Sequence, residues 1–147
     1  EQGSAAAQHN LGVMYLKGDG VPEDDKETIK WYRLAADQGN AGAQYNLGNM
    51  YSYPQGVPQD YKEAVKWYRL AADQGFAMAQ VNLGWMYEEG KGVPQDYVQA
   101  YAWYNLAGGE IDLDSAKDDV AKKMTPEQIA RGQELARELD KKIKAAK

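Results

Sequence analysis

The amino-acid sequence predicts an all-α fold: a solenoid of three 36-residue helix-turn-helix repeats, at residues 3–38, 39–74 and 75–110, closed by a capping helix pair over 111–147. Three observations predict it. The ten residues KWYRLAADQG stand at Lys30–Gly39 and again, unchanged, at Lys66–Gly75. The three segments superpose without a gap, and 17 of their 36 columns are identical throughout, which marks a repeat architecture. Each repeat also carries two runs of good helix formers parted by a glycine- and proline-rich loop. Residues 1–147 are read as one domain built on these repeats.

The elements follow in order within a repeat. AGAQYNLGNMY, in the second repeat, is a helix-length run that ends before the breakers PQGVP. Asp60 then stands where an N-cap belongs, with Glu63 three residues later, and Asp24 with Glu27 and Asp96 with Gln99 repeat the capping-box spacing. The second helix, YKEAVKWYRLAAD, stops at Gly75, as its counterpart stops at Gly39, because glycine is favoured just past a helix end. Gly12, Gly48 and Gly84 fall inside the first helices, where glycine costs ~1 kcal/mol relative to alanine. Three recurrences of that cost predict a close approach of the partner helix, under the ring of Trp31, Trp67 or Trp103.

Beyond Ala107 the repeat pattern breaks. Leu113, Ala116, Val120 and Met124 form one apolar face and predict a degenerate first helix. Thr125-Pro126-Glu127-Gln128 supplies an N-cap, a proline at the first helical position and a capping-box glutamine. Ile129, Gly132, Leu135, Ala136, Leu139 and Ile143 mark the buried side of the long last helix, and Lys141, Lys142, Lys144 and Lys147 suit its C-terminus. A pair of this kind covers the end of an open solenoid core.

The spacing AxAQxNLGxMY…GxGVPxDxxxAxxWYxxAAxxG resembles the Sel-one-like repeat, a relative of the tetratricopeptide repeat, over residues 3–110. Pro54 departs from the loop glycine seen at Gly18 and Gly90, and Thr28 stands where Ala64 and Ala100 do. The resemblance implies a right-handed α-α superhelix whose first helices line a concave groove for extended peptides or partner helices. It implies scaffold or adaptor work of the kind such proteins do in signalling, secretion and quality control, and the style of the repeats looks bacterial. A secreted branch of that family carries one disulfide per repeat; this cysteine-free chain does not share it. Glu1-Gln2-Gly3 matches the seams Asp37-Gln38-Gly39 and Asp73-Gln74-Gly75. The expectation is a fragment of a longer array or a processed protein, with surface around Ser4, Gln8 and Leu11 partly exposed and open to self-association.

Composition narrows the function classes. A net charge of −5 argues against nucleic acid as partner. The absence of cysteine excludes disulfides, thiolate nucleophiles and cysteine–zinc sites. No stretch approaches the ~20 apolar residues of a membrane span, and no signal peptide stands in the chain, which opens without methionine. The compartment stays open between the bacterial cytoplasm and the periplasm or exterior.

The repeats supply their own internal comparison. In the first helices the columns that vary are Ala6/Gly42/Met78, His9/Tyr45/Val81, Val13/Asn49/Trp85, Leu16/Ser52/Glu88 and Lys17/Tyr53/Glu89. Their spacing places them on one helical face. The candidate partner-binding residues are therefore His9, Val13, Lys17, Tyr45, Asn49, Tyr53, Met78, Trp85, Glu88 and Glu89. Aromatic and methionine side chains on such a stripe suit a binding surface, and Glu88 and Glu89 beside Trp85 suit a basic side chain in the partner. Drift of exposed positions, or packing of Trp85 on the following helix, is the plain alternative. Asn10, Asn46 and Asn82 are constant beside the stripe and form a candidate amide ladder for a peptide backbone; a structural hydrogen bond to the neighbouring repeat is the competing role, and more strongly so for Gln8, Gln44 and Gln80.

No catalytic residue is assigned. His9, the single histidine, stands on a varying column with no repeated partner, and no nucleophile motif, phosphate loop or metal-spaced set is present. GDGVPEDDKE lacks the alternating oxygen ligands of a calcium loop. The expectation is a non-enzymatic scaffold for a protein or peptide, without cofactor or metal. A small-molecule or envelope-glycan binder using Tyr45, Tyr53 and Trp85, and a structural spacer within a longer repeat protein, are the alternatives.

Overall fold

The computed structural model describes residues 3–147, so the expected seam at Glu1-Gln2 lies outside the described residues. Among these residues there are eight helices and no strand: α1 (Ala5–Lys17), α2 (Asp25–Asp37), α3 (Ala41–Ser52), α4 (Tyr61–Ala72), α5 (Ala77–Glu89), α6 (Tyr97–Ala107), α7 (Asp114–Ala121) and α8 (Pro126–Ala145). The chain divides into two compact units, one ending at Ala71 and one running from Ala72 to Lys147.

Caps set the helix starts. Asp24 accepts from the backbone N–H groups of Lys26 and Glu27 at 2.9 and 3.1 Å, and Asp60 from Lys62 and Glu63 at 3.1 and 3.2 Å. Asp96 accepts from Gln99 at 3.1 Å. The reciprocal half of the expected box is replaced. The cap N–H of Asp24 goes to the Tyr15 carbonyl at 3.0 Å, that of Asp60 to Tyr51 and that of Asp96 to Tyr87, both at 2.9 Å. Each cap therefore also ties the loop back to the helix before it, which frees Glu27 to accept from the Trp31 indole at 3.2 Å. Thr125 and Gln128 do form the complete capping box at the start of α8. Gly39 and Gly75, just past the second helices, take φ of 91° and 87°, a conformation that glycine alone adopts freely.

In the first unit, Tyr32, Ala35 and Ala36 of α2 share one buried cluster with Ala43, Leu47 and Met50 of α3 and Trp67 of α4. Val13 and Leu16 of α1 pack on its margin. The helical glycines do mark close approaches, but the ring above them is tyrosine, not the expected tryptophan. A Cβ on Gly12 would lie 2.5 Å from the Tyr32 ring, and one on Gly48 2.6 Å from Tyr68. The step from Trp31 to Tyr32 turns the side chain by ~100° around the helix, and the tyrosine is the one facing the first helix.

The second unit repeats the device and adds a closure. Gly84 lies under Tyr104, where a Cβ would come within 2.7 Å of the ring. Gly132 of α8 lies under Tyr101 of α6 at the same 2.7 Å. Of the expected apolar faces of α7 and α8, Val120, Gly132, Ala136 and Ile143 are buried, and Leu113, Ala116, Met124, Ile129, Leu135 and Leu139 are half-buried. No helix among the described residues is long and apolar enough to cross a membrane.

Candidate functional site

The residues of the varying stripe are placed differently in the two units. In the first unit, Lys17 is the exposed last residue of α1, and Val13 is half-buried. His9 is half-buried as well, its Nε2 3.0 Å from Asn46 Nδ2 and its ring 5.7 Å from that of Tyr32. Burial pushes the imidazole below its ordinary range, which favours the neutral ring able to accept from the Asn46 amide. The middle member of the asparagine ladder is thus engaged by the neighbouring repeat. Asn10 is exposed and Asn82 half-buried.

Tyr45 is half-buried with its ring 6.1 Å from Tyr68. Asn49 accepts from the Tyr68 hydroxyl at 2.6 Å, and Ser52 Oγ lies 3.0 Å from the same oxygen. Tyr53 sits one residue past the end of α3, in extended backbone, and is 61% exposed. Pro54 is the cause, since a proline drives the residue before it out of the helical region. The corresponding positions Lys17 and Glu89 are helical and are followed by left-handed Gly18 and Gly90.

In the second unit the stripe lies on α5. Met78 and Trp85 are 45% and 40% exposed and stand two turns apart on one face. Glu89, one turn beyond Trp85, is exposed. Glu88 turns inward instead. Its Oε2 accepts from the Tyr104 hydroxyl at 2.8 Å, and its Oε1 lies 3.2 Å from Lys123 Nζ. The Lys123 ammonium also stands 5.5 Å from the centre of the Tyr97 ring. Its pKa is raised, with the Glu88 hydrogen bond the largest cause, while burial beside Glu88 raises the Tyr104 phenol. The basic group that the sequence assigned to a partner at this carboxylate is supplied here by the chain itself.

Two glutamines of the constant columns close helix ends. Gln44 Nε2 donates to the Ala36 carbonyl and Gln80 Nε2 to Ala72, each at 3.1 Å. Sequence reasoning singled out neither Lys123 nor the exposed Met14. A hollow of about 590 Å³ lined by Asn105, Leu106, Gly109, Gln133, Ala136, Arg137 and Asp140 also lies away from the stripe. Among the described residues no group of three histidine, aspartate or glutamate side chains is placed to hold a metal ion.

Paired helices in a 36-residue period define the class of α-helical repeat proteins. The chain belongs to the Sel1 repeat family, whose sequence model matches residues 5–40, 41–76 and 77–108. It is similar to the crystal structure of a protective antigen present in uropathogenic Escherichia coli strains and displaying an SLR fold: 38% identity, TM-score 0.88, covering 97% of this chain and 31% of that one. The chain therefore spans about a third of that antigen's length. It is similar also to a Sel1 repeat protein from Oxalobacter formigenes, at 41% identity and TM-score 0.71 over 80% of this chain and 88% of that one. No curated protein matches the chain. The fold class is the all-α helical-repeat solenoid of these relatives. Sel1 repeat proteins generally act in protein–protein interaction, as non-catalytic repeat scaffolds.

Proposed function

We propose that this chain is a non-enzymatic scaffold that holds a protein or peptide against the face formed by the first helix of each repeat. The observation that carries the reading is the exposure of Met78 and Trp85 on one face of α5, at columns whose residues differ from repeat to repeat. Large apolar side chains left uncovered together on one helix face are the anchors that protein interfaces use. Glu89 adds an exposed carboxylate one turn away, suited to a basic side chain beside the apolar anchor.

His9, Val13, Lys17, Tyr45, Asn49 and Tyr53 are the corresponding members in the first unit, and Glu88 completes the set in the second. Of the ladder Asn10, Asn46 and Asn82, the exposed Asn10 is the member best placed to meet a peptide backbone, since the Asn46 amide is held by His9. Weight falls on Met78, Trp85, Glu89 and Tyr53, because His9, Tyr45, Asn49 and Glu88 already touch neighbours within their own unit. The test is affinity capture from the native host with wild type and with a Met78→Ser/Trp85→Ala variant of equal helicity. A partner held by wild type and released by the variant supports the reading. Identical capture by both moves the function off this face.

A further inference from the structure

The second helices of the first unit share an exposed face that their packing does not use. On α2 it is Lys26, Lys30 and Leu34, and on α4 it is Lys62, Lys66 and Leu70. A spacing of four puts each set on one side of its helix. All four lysines are exposed, and Leu34 and Leu70 are 41% and 42% exposed. The other sides of the two helices are held in one core, where Tyr32, Ala35 and Ala36 of α2 meet Trp67 of α4. The varying stripe lies on first helices, so this face is separate from it.

The charge on this face is largely uncompensated. Among the described residues, only Lys30 of the four lysines reaches a carboxylate, that of Glu27 at 3.8 Å. The Lys66 ammonium stands instead 4.8 Å from the centre of the Trp67 ring. A chain of net charge −5 thus presents a local excess of positive charge around two leucines. The third repeat supplies the contrast. Its second helix, α6, packs on α7 and α8, and at the same columns it carries Val98, Ala102 and Leu106. Ala102 is fully buried there and the other two are half-buried. Lysine therefore stands where the face is open and an apolar residue where the chain covers it, while the leucine is present in both.

We propose that this face docks an acidic segment of a partner protein, whose carboxylates meet Lys26, Lys30, Lys62 and Lys66 and whose apolar side chains seat on Leu34 and Leu70. Solvation accounts for exposed lysines but not for a large apolar side chain repeated beside them. A polypeptide offers both chemistries in a fixed order, and charge complementarity sets which segment is accepted. An anionic bilayer fits the face less well. Each helix has one leucine to insert, more than half of it already covered, and the exposed carboxylate of Asp37, one turn past Leu34, would meet the lipid phosphates.

The probe is a short fluorescein-labelled peptide in which pairs of glutamates alternate with leucines, titrated into the 147-residue protein by fluorescence anisotropy. An all-glutamate peptide of the same length is the control. Saturable binding of the first peptide is expected, weakening as salt rises, with much weaker binding of the second. Lys30→Glu/Lys66→Glu weakens it by roughly tenfold or more, and Leu34→Gln/Leu70→Gln severalfold, in protein shown by circular dichroism to keep its helicity. Absence of saturable binding, equal binding of the two peptides, or binding that survives either variant overturns the proposal. Co-sedimentation with phosphatidylglycerol vesicles in place of peptide binding also overturns it and assigns the face to a membrane surface.

Discussion

A tyrosine hydroxyl carried into a helix–helix contact needs a hydrogen-bond partner, and the second and third repeats provide it in different ways. The Tyr68 hydroxyl reaches Asn49 and Ser52, and that of Tyr104 reaches Glu88. At the equivalent of Ser52 and Glu88 the first repeat has only Leu16, and the Tyr32 ring lies beside that of His9. Variation in that column thus has a packing cause of its own. The ring beneath each hydroxyl is fixed by its glycine, and this gives a sharp contrast inside one helix. Gly48→Ala would set a methyl 2.6 Å from a tethered Tyr68 ring, whereas Gly42→Ala would meet nothing nearer than 3.5 Å. Both gain ~1 kcal/mol of helix propensity. Only the first also meets overpacking of ~1–3 kcal/mol. Thermal melts followed by circular dichroism should show Gly48→Ala destabilised and Gly42→Ala unchanged or raised; equal behaviour would sink the close-approach role of Gly48.

Between elements, the turn joining α7 to α8 is fastened to α5 by a link that spans 35 positions. Glu88 at the end of α5 holds Tyr104 of α6 on one oxygen and Lys123, from the turn between α7 and α8, on the other. Glu88→Ala leaves the hydroxyl of a nearly buried tyrosine without its acceptor, at ~1–3 kcal/mol. Glu88→Gln keeps an acceptor and should cost distinctly less. Urea denaturation of the two variants checks this, and equal losses would mean that charge, not the hydrogen bond, matters at this position. The start of α8 was legible in the sequence because Thr125, Pro126 and Gln128 act within one turn. The tie to Lys123 was not, since it joins residues distant in sequence and lies where the internal repeat comparison has no counterpart. The tyrosine over each glycine was hidden for a related reason: caps fix where a helix begins but not which neighbouring side chain faces its partner. On the candidate face, the column pattern picked out the exposed Met78 and Trp85, but could not tell them from Asn49 or Glu88, which vary too and yet point at a tyrosine.

At the scale of the molecule, a repeat chain is stabilised mainly by neighbour-to-neighbour contacts, so damage in one place need not melt the rest. The two compact units, meeting in sequence at Ala71–Ala72, give that principle a definite form here. Trp67 joins the cluster of Tyr32, Ala35, Ala36, Leu47 and Met50 in the first unit. Its indole N–H finds no acceptor among the described residues, so its contribution there is the bulk of the ring. Trp67→Ala removes that bulk at ~3–5 kcal/mol. Amide exchange read by mass spectrometry should then accelerate in α2 and α3, where the cluster lies. It should stay at wild-type rates in α7 and α8, whose buried Val120, Ala136 and Ile143 belong to the second unit. Trp67→Phe, which refills most of the volume and loses no hydrogen bond, should restore much of the protection. A variant whose helices all lose protection together would show instead that the chain opens as one cooperative body, and that a partner engaging either unit acts on the stability of the whole.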